Sequence, residues 1–498
     1  MTRASGLAAA LVLSIGCTDD QAGTPPVVDP CAAFEEHRVE LPSGTLRGHR
    51  SGDSCAFLGI AYAGAASGER RFRPPERPST RSAVIDAHDF GPPCAQFDAD
   101  GRIIGSEACL SLNVWTPGIG SEPRPVLVFF HGGGNVSGSN ADPDHDGREL
   151  ATRGGLVVVT PNFRLGTLGY LAHHELGREN TAASSGNYGL LDQIAALEWV
   201  RENVAAFGGD PGRVLLVGQS AGSRNACALV ASPLARGLFS SVALHSGACN
   251  LRSLAEQELI GAEIARSSGC ANAPDVPGCL RALDLPRLMN ALPGIPGPMV
   301  ASEHNPNVDG WLLERAPLET IAAGEHSRVP MIVSTTQDEV ASAIAPGLTA
   351  EDYPGLVEAL FGADFRPKML EYYPLESFES PRAALVRMIT DARYACPARR
   401  TARAGLAGGS TVYRTVWEHG LEWGPESELG AYHGVELLFL FRSFERHGHA
   451  PTAGELAESD RMIQRYARFA ATGDLDGLKP YDGSDDASGA HCDFWDTF

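Results

Sequence analysis

The sequence lacks any excess of positive charge. Its 498 residues include 40 Lys and Arg but 61 Asp and Glu, which gives a formal net charge of −21. Nucleic acids and anionic membrane surfaces are bound through basic patches, so this balance argues against both as partners. Charged residues make up 20% of the chain and hydrophobic residues 43%. That composition excludes a disordered chain and allows a substantial buried core.

A long hydrophobic run is also missing. The apolar stretch near the N-terminus, residues 6–13, is too short to cross a membrane. We therefore predict an export signal peptide at residues 1–17. Gly16-Cys17 resembles a bacterial lipoprotein processing site, which predicts lipidation of Cys17 and a place in the bacterial cell envelope. The alternative is plain cleavage and a secreted enzyme. Residues 18–30, rich in Asp, Gly and Pro, are predicted to be a flexible tether.

Internal repeats and long low-complexity runs are absent as well, and we predict one domain over residues 31–498. Short β-branched segments alternate with helical patterns along it. This order is typical of an α/β fold with a large, mostly parallel central sheet and helices on both faces. A small N-terminal hairpin is predicted at 39–41 and 44–47. The other predicted strands are 55–63, 110–115, 126–130, 156–160, 331–336 and 412–416. The predicted helices are 188–207, 254–268, 381–395 and 459–471.

The most informative stretch is an apolar run, 214–217, that ends in Gly218-Gln219-Ser220-Ala221-Gly222. A helical pattern follows directly. A strand, a sharp turn and a helix are the setting of a nucleophile elbow, where two glycines allow the turn and the serine hydroxyl stands above the sheet edge. With 56 glycines in the chain the pentapeptide alone is weak evidence. It occurs once, however, and its context predicts that Ser220 is a nucleophile rather than part of an ordinary turn.

A glycine triplet follows another predicted strand, in His131-Gly132-Gly133-Gly134. Acyl transfer builds negative charge on the substrate oxygen, and backbone N–H groups reach that oxygen only where no Cβ blocks the approach. We predict that the N–H groups of Gly133, Gly134 and Ala221 form a three-donor oxyanion hole. The alternative is a flexible turn, which does not explain why the triplet follows a buried strand and precedes the elbow.

Several motifs, in the order found here, resemble those of the type-B carboxylesterase family, the cholinesterase-like branch of the α/β-hydrolases. Besides the elbow and the glycine triplet they are residues 106–115, 161–166, 186–193 and 206–211. The resemblance extends from about residue 39 to residue 495. It implies an α/β-hydrolase fold and hydrolysis of a small-molecule ester through an acyl-enzyme, with no cofactor and no metal.

The resemblance also implies partners for the serine. A serine hydroxyl is a poor nucleophile until a base takes its proton and a carboxylate orients that base. Residues 430–437 resemble the family's histidine loop, which implies that His433 is the base. The implied acid is Glu339, although Val340 stands where the family has glycine. The neighbouring carboxylate, Asp338, is the alternative.

The chain has 11 cysteines, and in an exported protein this number predicts disulfides. The pairs that the resemblance implies are Cys94–Cys109, Cys270–Cys279 and Cys396–Cys492, with Cys31–Cys55 as a fourth candidate. Cys227 and Cys249 are left over and are interpreted as buried thiols.

Residues 142–147 begin like an EF-hand calcium loop, but the twelfth position is Arg153, where a bidentate glutamate is needed. We interpret the segment as an ordinary surface loop and predict no metal site. Four other polar residues are interpreted as buried structural groups: His131, His245, Arg164 and Asp192.

The sequence predicts neutral esters as substrates and no special affinity for choline esters. A quaternary ammonium binds best over an indole, which cholinesterases place in the loop closed by the first disulfide, with a Glu before the nucleophile. Here that loop holds Phe97 as its only aromatic residue, and Gln219 precedes Ser220. Loops such as 275–309 are expected to select the substrate further.

Two other functions are compatible with the resemblance. One is a non-catalytic, cholinesterase-like adhesion module, although such modules typically lack the nucleophile. The other is an exported serine peptidase on a similar fold, which would cleave amides.

Overall fold

The computed structural model describes residues 29–34, 37–120, 122–294, 302–484 and 491–497. The predicted signal peptide, the lipidation candidate Cys17 and nearly all of the predicted tether lie outside these residues. Within the described ranges, no helix has the length and apolar character needed to span a membrane.

The strands and helices alternate along most of the chain. The strands are Arg38–Leu41 (β1), Gly44–Arg47 (β2), His49–Ser51 (β3), Ser54–Ala61 (β4), Ile85–Asp86 (β5), Gln96–Phe97 (β6), Ile103–Ile104 (β7), Ser111–Thr116 (β8), Arg124–Phe130 (β9), Val157–Pro161 (β10), Gly209–Gln219 (β11), Ser241–His245 (β12), Arg252–Ser253 (β13), Asn307–Val308 (β14), Met331–Thr336 (β15) and Val412–Trp417 (β16). The α-helices are Arg148–Gly154 (α1), Gly166–Tyr170 (α2), His174–Gly177 (α3), Tyr188–Asn203 (α4), Ala221–Ala231 (α5), Leu254–Ser267 (α6), Val276–Ala282 (α7), Leu285–Asn290 (α8), Pro317–Ala322 (α9), Tyr353–Phe361 (α10), Arg366–Tyr372 (α11), Pro381–Thr390 (α12), Cys396–Ala407 (α13), Val435–Leu440 (α14), Ala453–Thr472 (α15) and Cys492–Trp495 (α16).

A nine-stranded mixed sheet forms the centre of the fold, in the order β16-β15-β12-β11-β9-β10-β8-β4-β3. Neighbours from β16 to β10 pair in parallel. The last three strands, β8, β4 and β3, are added antiparallel. The predicted mostly parallel sheet is therefore confirmed, with an antiparallel edge that its strand pattern did not reveal. The small hairpin is also present, because β1 pairs with β2 from Leu41 and Gly44 outward.

Both faces of the sheet are buried, because alternate side chains of each strand point to opposite sides. On β9, Val126, Val128 and Phe130 join a core with residues of α4, α5 and α13. Leu127 and Phe129 join a second core with residues of α1, α14 and α15. Strands covered on both faces are nearly continuous apolar runs, which is why β9 and β11 were readable from the sequence.

Helix α15 begins earlier than the sequence pattern predicted. The predicted start was residue 459, but the helix starts at Ala453 behind a capping box. The Thr452 hydroxyl accepts the N–H of Glu455 at 3.1 Å, and the Glu455 carboxylate accepts the N–H of Thr452 at 2.7 Å. These bonds satisfy two donors that a helix start leaves open. The Thr-x-x-Glu signal was present in the sequence and would have located the start.

Five disulfides join described cysteines: Cys31–Cys55, Cys94–Cys109, Cys227–Cys249, Cys270–Cys279 and Cys396–Cys492. The interpretation of Cys227 and Cys249 as free thiols was wrong. Cys227 lies on α5 and Cys249 lies just after β12, and α5 packs on β12 so that the two Cα atoms are 5.7 Å apart. Five disulfides point to an oxidising, extracellular setting.

Candidate active site

Ser220 stands at a sharp turn between β11 and α5, with φ +55° and ψ −117°. A non-glycine residue rarely adopts this backbone conformation, and such strain is typical of functional turns. Both flanking glycines are required for it. A Cβ on Gly218 would lie 2.3 Å from the carbonyl oxygen of Gly222, and a Cβ on Gly222 would lie 2.1 Å from that of Phe130. The geometry is that of a nucleophile elbow.

His433 and Glu339 are in direct contact. The His433 Nδ1 lies 2.5 Å from Oε2 of Glu339, which is fully buried. The second oxygen, Oε1, accepts the backbone N–H of Thr336 at 3.0 Å. Because a carboxylate only accepts hydrogen bonds, Nδ1 carries the proton and Nε2 is left as an acceptor. This is the orientation in which an imidazole acts as a general base.

The pKa of His433 follows from this contact. Burial alone lowers the pKa of the imidazole, but the charge of Glu339 and its hydrogen bond outweigh burial, and the pKa is raised above its ordinary value of 6.5.

We expect a corresponding pH profile. Only the neutral imidazole accepts a proton, so kcat/KM falls as the pH falls through the pKa of the base. The raised pKa places the midpoint of this acid limb above 6.5. The measurement is kcat/KM for p-nitrophenyl butyrate between about pH 5 and pH 9. A midpoint clearly below 6.5 would show that the charge of Glu339 does not raise the pKa of His433.

The alternative acid, Asp338, lies elsewhere. Its Oδ2 accepts the N–H of Ala431 at 3.1 Å, and its own N–H donates to the carbonyl of Ala431 at 3.0 Å. Burial raises the pKa of this carboxyl. Of the two adjacent carboxylates, only Glu339 contacts His433, while Asp338 holds the loop that carries the histidine.

The amide of Gln219 contacts the histidine on its other side. Its Nε2 lies 3.2 Å from Nε2 of His433. Since the amide nitrogen donates, this contact agrees with Nε2 of the histidine being the acceptor. The sequence marked Gln219 only as an uncharged neighbour of Ser220 and gave no signal for this contact.

Three backbone N–H groups border the serine. Gly133 has φ +94° and Gly134 φ +65°, conformations that favour glycine, and a Cβ on Gly133 would lie 2.3 Å from the carbonyl oxygen of Ser137. Ala221 opens α5, so its N–H has no partner within the helix. None of these three N–H groups donates to another group in the described part of the chain.

Ser220 and His433 line one cavity of about 440 Å³. Gly133, Gly134 and Ala221 line it too, so the structure brings together all the sequence-predicted site residues except Glu339, which lies behind the histidine. The other lining residues are Gln219, Arg224, Ser246, Gly247, Ala248, Asn250, Ser302, Ala392, Arg393, Tyr394, Pro397 and Arg400. Of the described residues in the loop expected to select substrate, 275–309, Ser302 is the one that lines the cavity.

The sequence missed most of this wall. Residues 391–395 were predicted to be α-helical, but the α-helix ends at Thr390 and a π-helical turn, Asp391–Ala395, follows. Such turns are rare overall, and those that occur are often found at functional sites. This one carries Arg393 and Tyr394 to the cavity. The sequence analysis did not single out Arg224, although a signal was present: it follows Ser220 by four residues on a helix and so shares its side.

None of the four residues interpreted as structural is among the described residues that line the cavity. His131 stacks on Phe163 at 4.5 Å, and burial lowers the pKa of His131 to about 4. Arg164 and Asp192 form a buried ion pair at 2.7 Å. Nε2 of His245 lies 2.5 Å from the Tyr466 hydroxyl.

The calcium-like segment caps its own turns. Asp142 accepts the N–H of Asp144, and Asp146 accepts the N–H of Arg148. No cluster of three or more potential metal ligands occurs among the described residues.

The mixed sheet with a strand–elbow–helix turn at its centre defines an α/β-hydrolase. The model of one family within this class, described as the carboxylesterase family, matches residues 35–490. The chain therefore belongs to the carboxylesterase family and is a carboxylic ester hydrolase.

Similar proteins agree with this family assignment. The para-nitrobenzyl esterase of Bacillus subtilis (strain 168) is 33% identical over 459 residues, which cover 87% of this chain and 90% of that protein. The fumonisin B1 esterase of Sphingopyxis macrogoltabida is 35% identical over 411 residues, covering 80% and 74%. Among solved structures, a thermophilic PNB esterase aligns with a TM-score of 0.77 at 30% identity, over 90% of this chain and 94% of that chain.

Proposed function

We propose that this carboxylesterase works by acyl transfer through Ser220, with His433 as the base and Glu339 as the acid that orients it. The observation that carries the proposal is the 2.5 Å contact between His433 Nδ1 and the buried Glu339 carboxylate. It leaves the second imidazole nitrogen as an acceptor in the cavity that Ser220 lines.

The reaction follows from these positions. Ser220 Oγ attacks the ester carbonyl while Nε2 of His433 takes its proton, and Glu339 stabilises the imidazolium. The N–H groups of Gly133, Gly134 and Ala221 hold the oxyanion. The imidazolium then protonates the leaving alcohol, and an acyl-enzyme remains on Ser220. A water molecule activated by the same histidine releases the acid and restores the serine.

Gln219 has a part in this cycle. Its amide holds Nε2 of His433 at 3.2 Å, the atom to which the Ser220 hydroxyl must donate. We propose that, when the substrate binds, the Gln219 amide moves off Nε2 of His433 and the Ser220 hydroxyl takes its place as the donor. Catalytic hydrogen bonds are often completed only in the substrate complex, so the resting contact is compatible with the mechanism.

The ester and amide arms of one assay separate the candidate functions. A p-nitrobenzyl ester is a suitable first substrate, since a relative is named for it. We expect turnover of p-nitrobenzyl acetate and p-nitrophenyl butyrate, and none of the matching p-nitroanilide. Amide cleavage at a comparable rate would identify a peptidase, and no turnover of any of the three would favour the adhesion module.

We predict that the cavity does not favour cationic esters. Among its lining residues the aromatic side chains are Tyr394 and His433, and Phe97 packs in a separate apolar cluster. Arginines also line it, and they repel a quaternary ammonium. Losing a desolvated cation–π contact forfeits about 2 kcal/mol, or about thirtyfold in kcat/KM.

The comparison is kcat/KM for butyrylthiocholine and its uncharged dimethylbutyl analogue at about 0.15 M ionic strength, where long-range attraction to the acidic protein is screened. The uncharged ester is expected to be hydrolysed at least as well. An advantage of about tenfold or more for the cation would mean that an aromatic cation site exists in this protein.

We further propose that residues 1–17 are an export signal, that Cys17 is lipidated, and that residues 18–30 tether a catalytic domain of residues 31–498. The Gly16-Cys17 pair supports lipidation, and the five disulfides agree with export. Wild type is expected in the detergent or membrane fraction and Cys17→Ser in the soluble fraction. Equal solubility of the two proteins would leave only an ordinary signal peptide.

A further inference from the structure

Arg224 is a largely buried positive charge in the wall of the cavity that holds Ser220. It lies on α5, four residues after the serine. Its Nη1 donates to Oδ1 of Asn305 at 2.5 Å. Its Nε is buried and donates to none of the described residues. One edge of the guanidinium is therefore held, while Nε has no acceptor among the described residues.

Among the described residues, the arginines with the most deeply buried side chains pair with carboxylates. The four most buried are Arg71 with Glu107, Arg164 with Asp192, Arg281 with Glu179, and Arg399 with Asp493 and Asp496. Among the described residues, the ionisable groups that act on Arg224 are Tyr394, Arg252 and Tyr170, none of them a carboxylate. Residues 295–301, which precede Ser302 in the chain, contain neither Asp nor Glu. A buried charge without a counter-ion costs stability. An anionic ligand bound in the cavity would offset that cost.

Two further arginines line the same cavity. Arg393 and Arg400 also line the cavity, and none of its described lining residues is Asp or Glu. Arg400 forms an ion pair with Asp496, with 2.8 Å between Nη1 and Oδ1. Burial lowers the pKa of Arg224, yet an arginine stays protonated in proteins. In a chain of net charge −21 this group of arginines is a local feature, and positive charge in a cleft favours the approach of anions.

We propose that the cavity binds an ester carrying a second, ionised carboxylate, and that Arg224 is the residue that binds that carboxylate. The substrate class is then a monoester of a dicarboxylic acid or an ester of a hydroxy acid. The proposal rests on the esterase function given above, and it differs from the sequence-based expectation of neutral esters. A guanidinium is the side chain best suited to a carboxylate because it presents fixed, parallel donors.

Two pairs of esters test the proposal and locate the carboxylate. On the acyl side, monoethyl glutarate is compared with ethyl 4-carbamoylbutanoate. On the alcohol side, 3-(butanoyloxy)propanoate is compared with 3-(butanoyloxy)propanamide. Each amide matches its carboxylate in size but carries no charge. Hydrolysis is followed by acid release in a pH-stat at physiological ionic strength.

Wild type is expected to favour the carboxylate by about tenfold or more in kcat/KM in at least one pair, as for a charge-assisted hydrogen bond. In Arg224→Gln this preference disappears through a higher KM for the carboxylate ester. Arg224→Lys keeps part of it, because the charge remains. The matched control is Arg236→Gln, which removes an exposed arginine outside the cavity and leaves the preference as in wild type.

Equal kcat/KM for carboxylate and amide in both pairs would overturn the inference while leaving the esterase function intact. An equal loss for both members of a pair in Arg224→Gln would also overturn it, because that pattern shows a structural role only. No turnover of any of the four esters or of p-nitrophenyl butyrate would overturn the esterase function, and this inference with it.

A second measurement needs no variant and covers the case in which Arg224→Gln fails to fold. Glutarate and the uncharged glutaramide are compared as competitive inhibitors of p-nitrophenyl butyrate hydrolysis by wild type. We expect the dianion to inhibit with a Ki at least about tenfold lower. Equal Ki values would contradict a carboxylate site in the cavity.

Discussion

Replacing Ser220 by alanine is expected to lower kcat for p-nitrophenyl butyrate by on the order of 10⁶, the loss found when a subtilisin loses its nucleophile. The remaining groups cannot substitute for it, because the acyl-enzyme forms on the serine oxygen. Alanine keeps the Cβ that the strained turn at φ +55° already accommodates. The melting temperature should therefore stay within about 2 °C of wild type.

The matched control is Ser223→Ala. Ser223 lies one turn further along α5, is fully buried and does not line the cavity. Its loss should leave kcat within about threefold of wild type. Activity of Ser220→Ala within about tenfold of wild type would contradict the assignment of Ser220 as the nucleophile.

The second large effect is expected at the acid. Glu339→Gln should lower kcat by on the order of 10³ or more, since His433 loses its counter-charge and the partner that fixes its tautomer. Asp338→Asn is the control on the neighbouring residue, and its effect should stay below about tenfold because it only weakens a contact to Ala431. Both are measured as kcat for the same ester. A larger loss in Asp338→Asn than in Glu339→Gln would make Asp338 the acid.

The parts of the candidate site that the sequence predicted are those that depend on local backbone constraints. The elbow was readable because Gly218 and Gly222 each face a carbonyl oxygen that excludes a Cβ. The glycine triplet was readable because Gly133 and Gly134 adopt positive φ angles. The parallel sheet followed from apolar runs such as β9, since strands buried on both faces need them.

The parts that failed depend on packing between distant segments. The pairing of Cys227 with Cys249 requires α5 to lie on β12, which no local pattern reveals. The charge of the cavity depends on the π-helical turn that carries Arg393, more than 170 residues after Ser220 in the sequence. The helix-breaking shift at Thr390 has no signature in propensity, so the segment looked like a continuous helix.

Buried polar contacts were beyond sequence reasoning for a related reason. The contact of Gln219 with His433 joins residues 214 positions apart. The position of Arg224 one helical turn after Ser220 is a local signal, but which described side chains surround its guanidinium appears only in the structure. The reaction class, ester hydrolysis, came directly from the motifs and agrees with the family match.

The most direct test of the account is covalent labelling of the nucleophile. The protein is treated with a fluorophosphonate, digested, and mapped by mass spectrometry. A phosphonyl serine is expected at Ser220 in stoichiometric amount, with parallel loss of esterase activity, and no adduct in Ser220→Ala. An adduct at another residue, or full inactivation of the enzyme without modification of Ser220, would contradict the proposed mechanism.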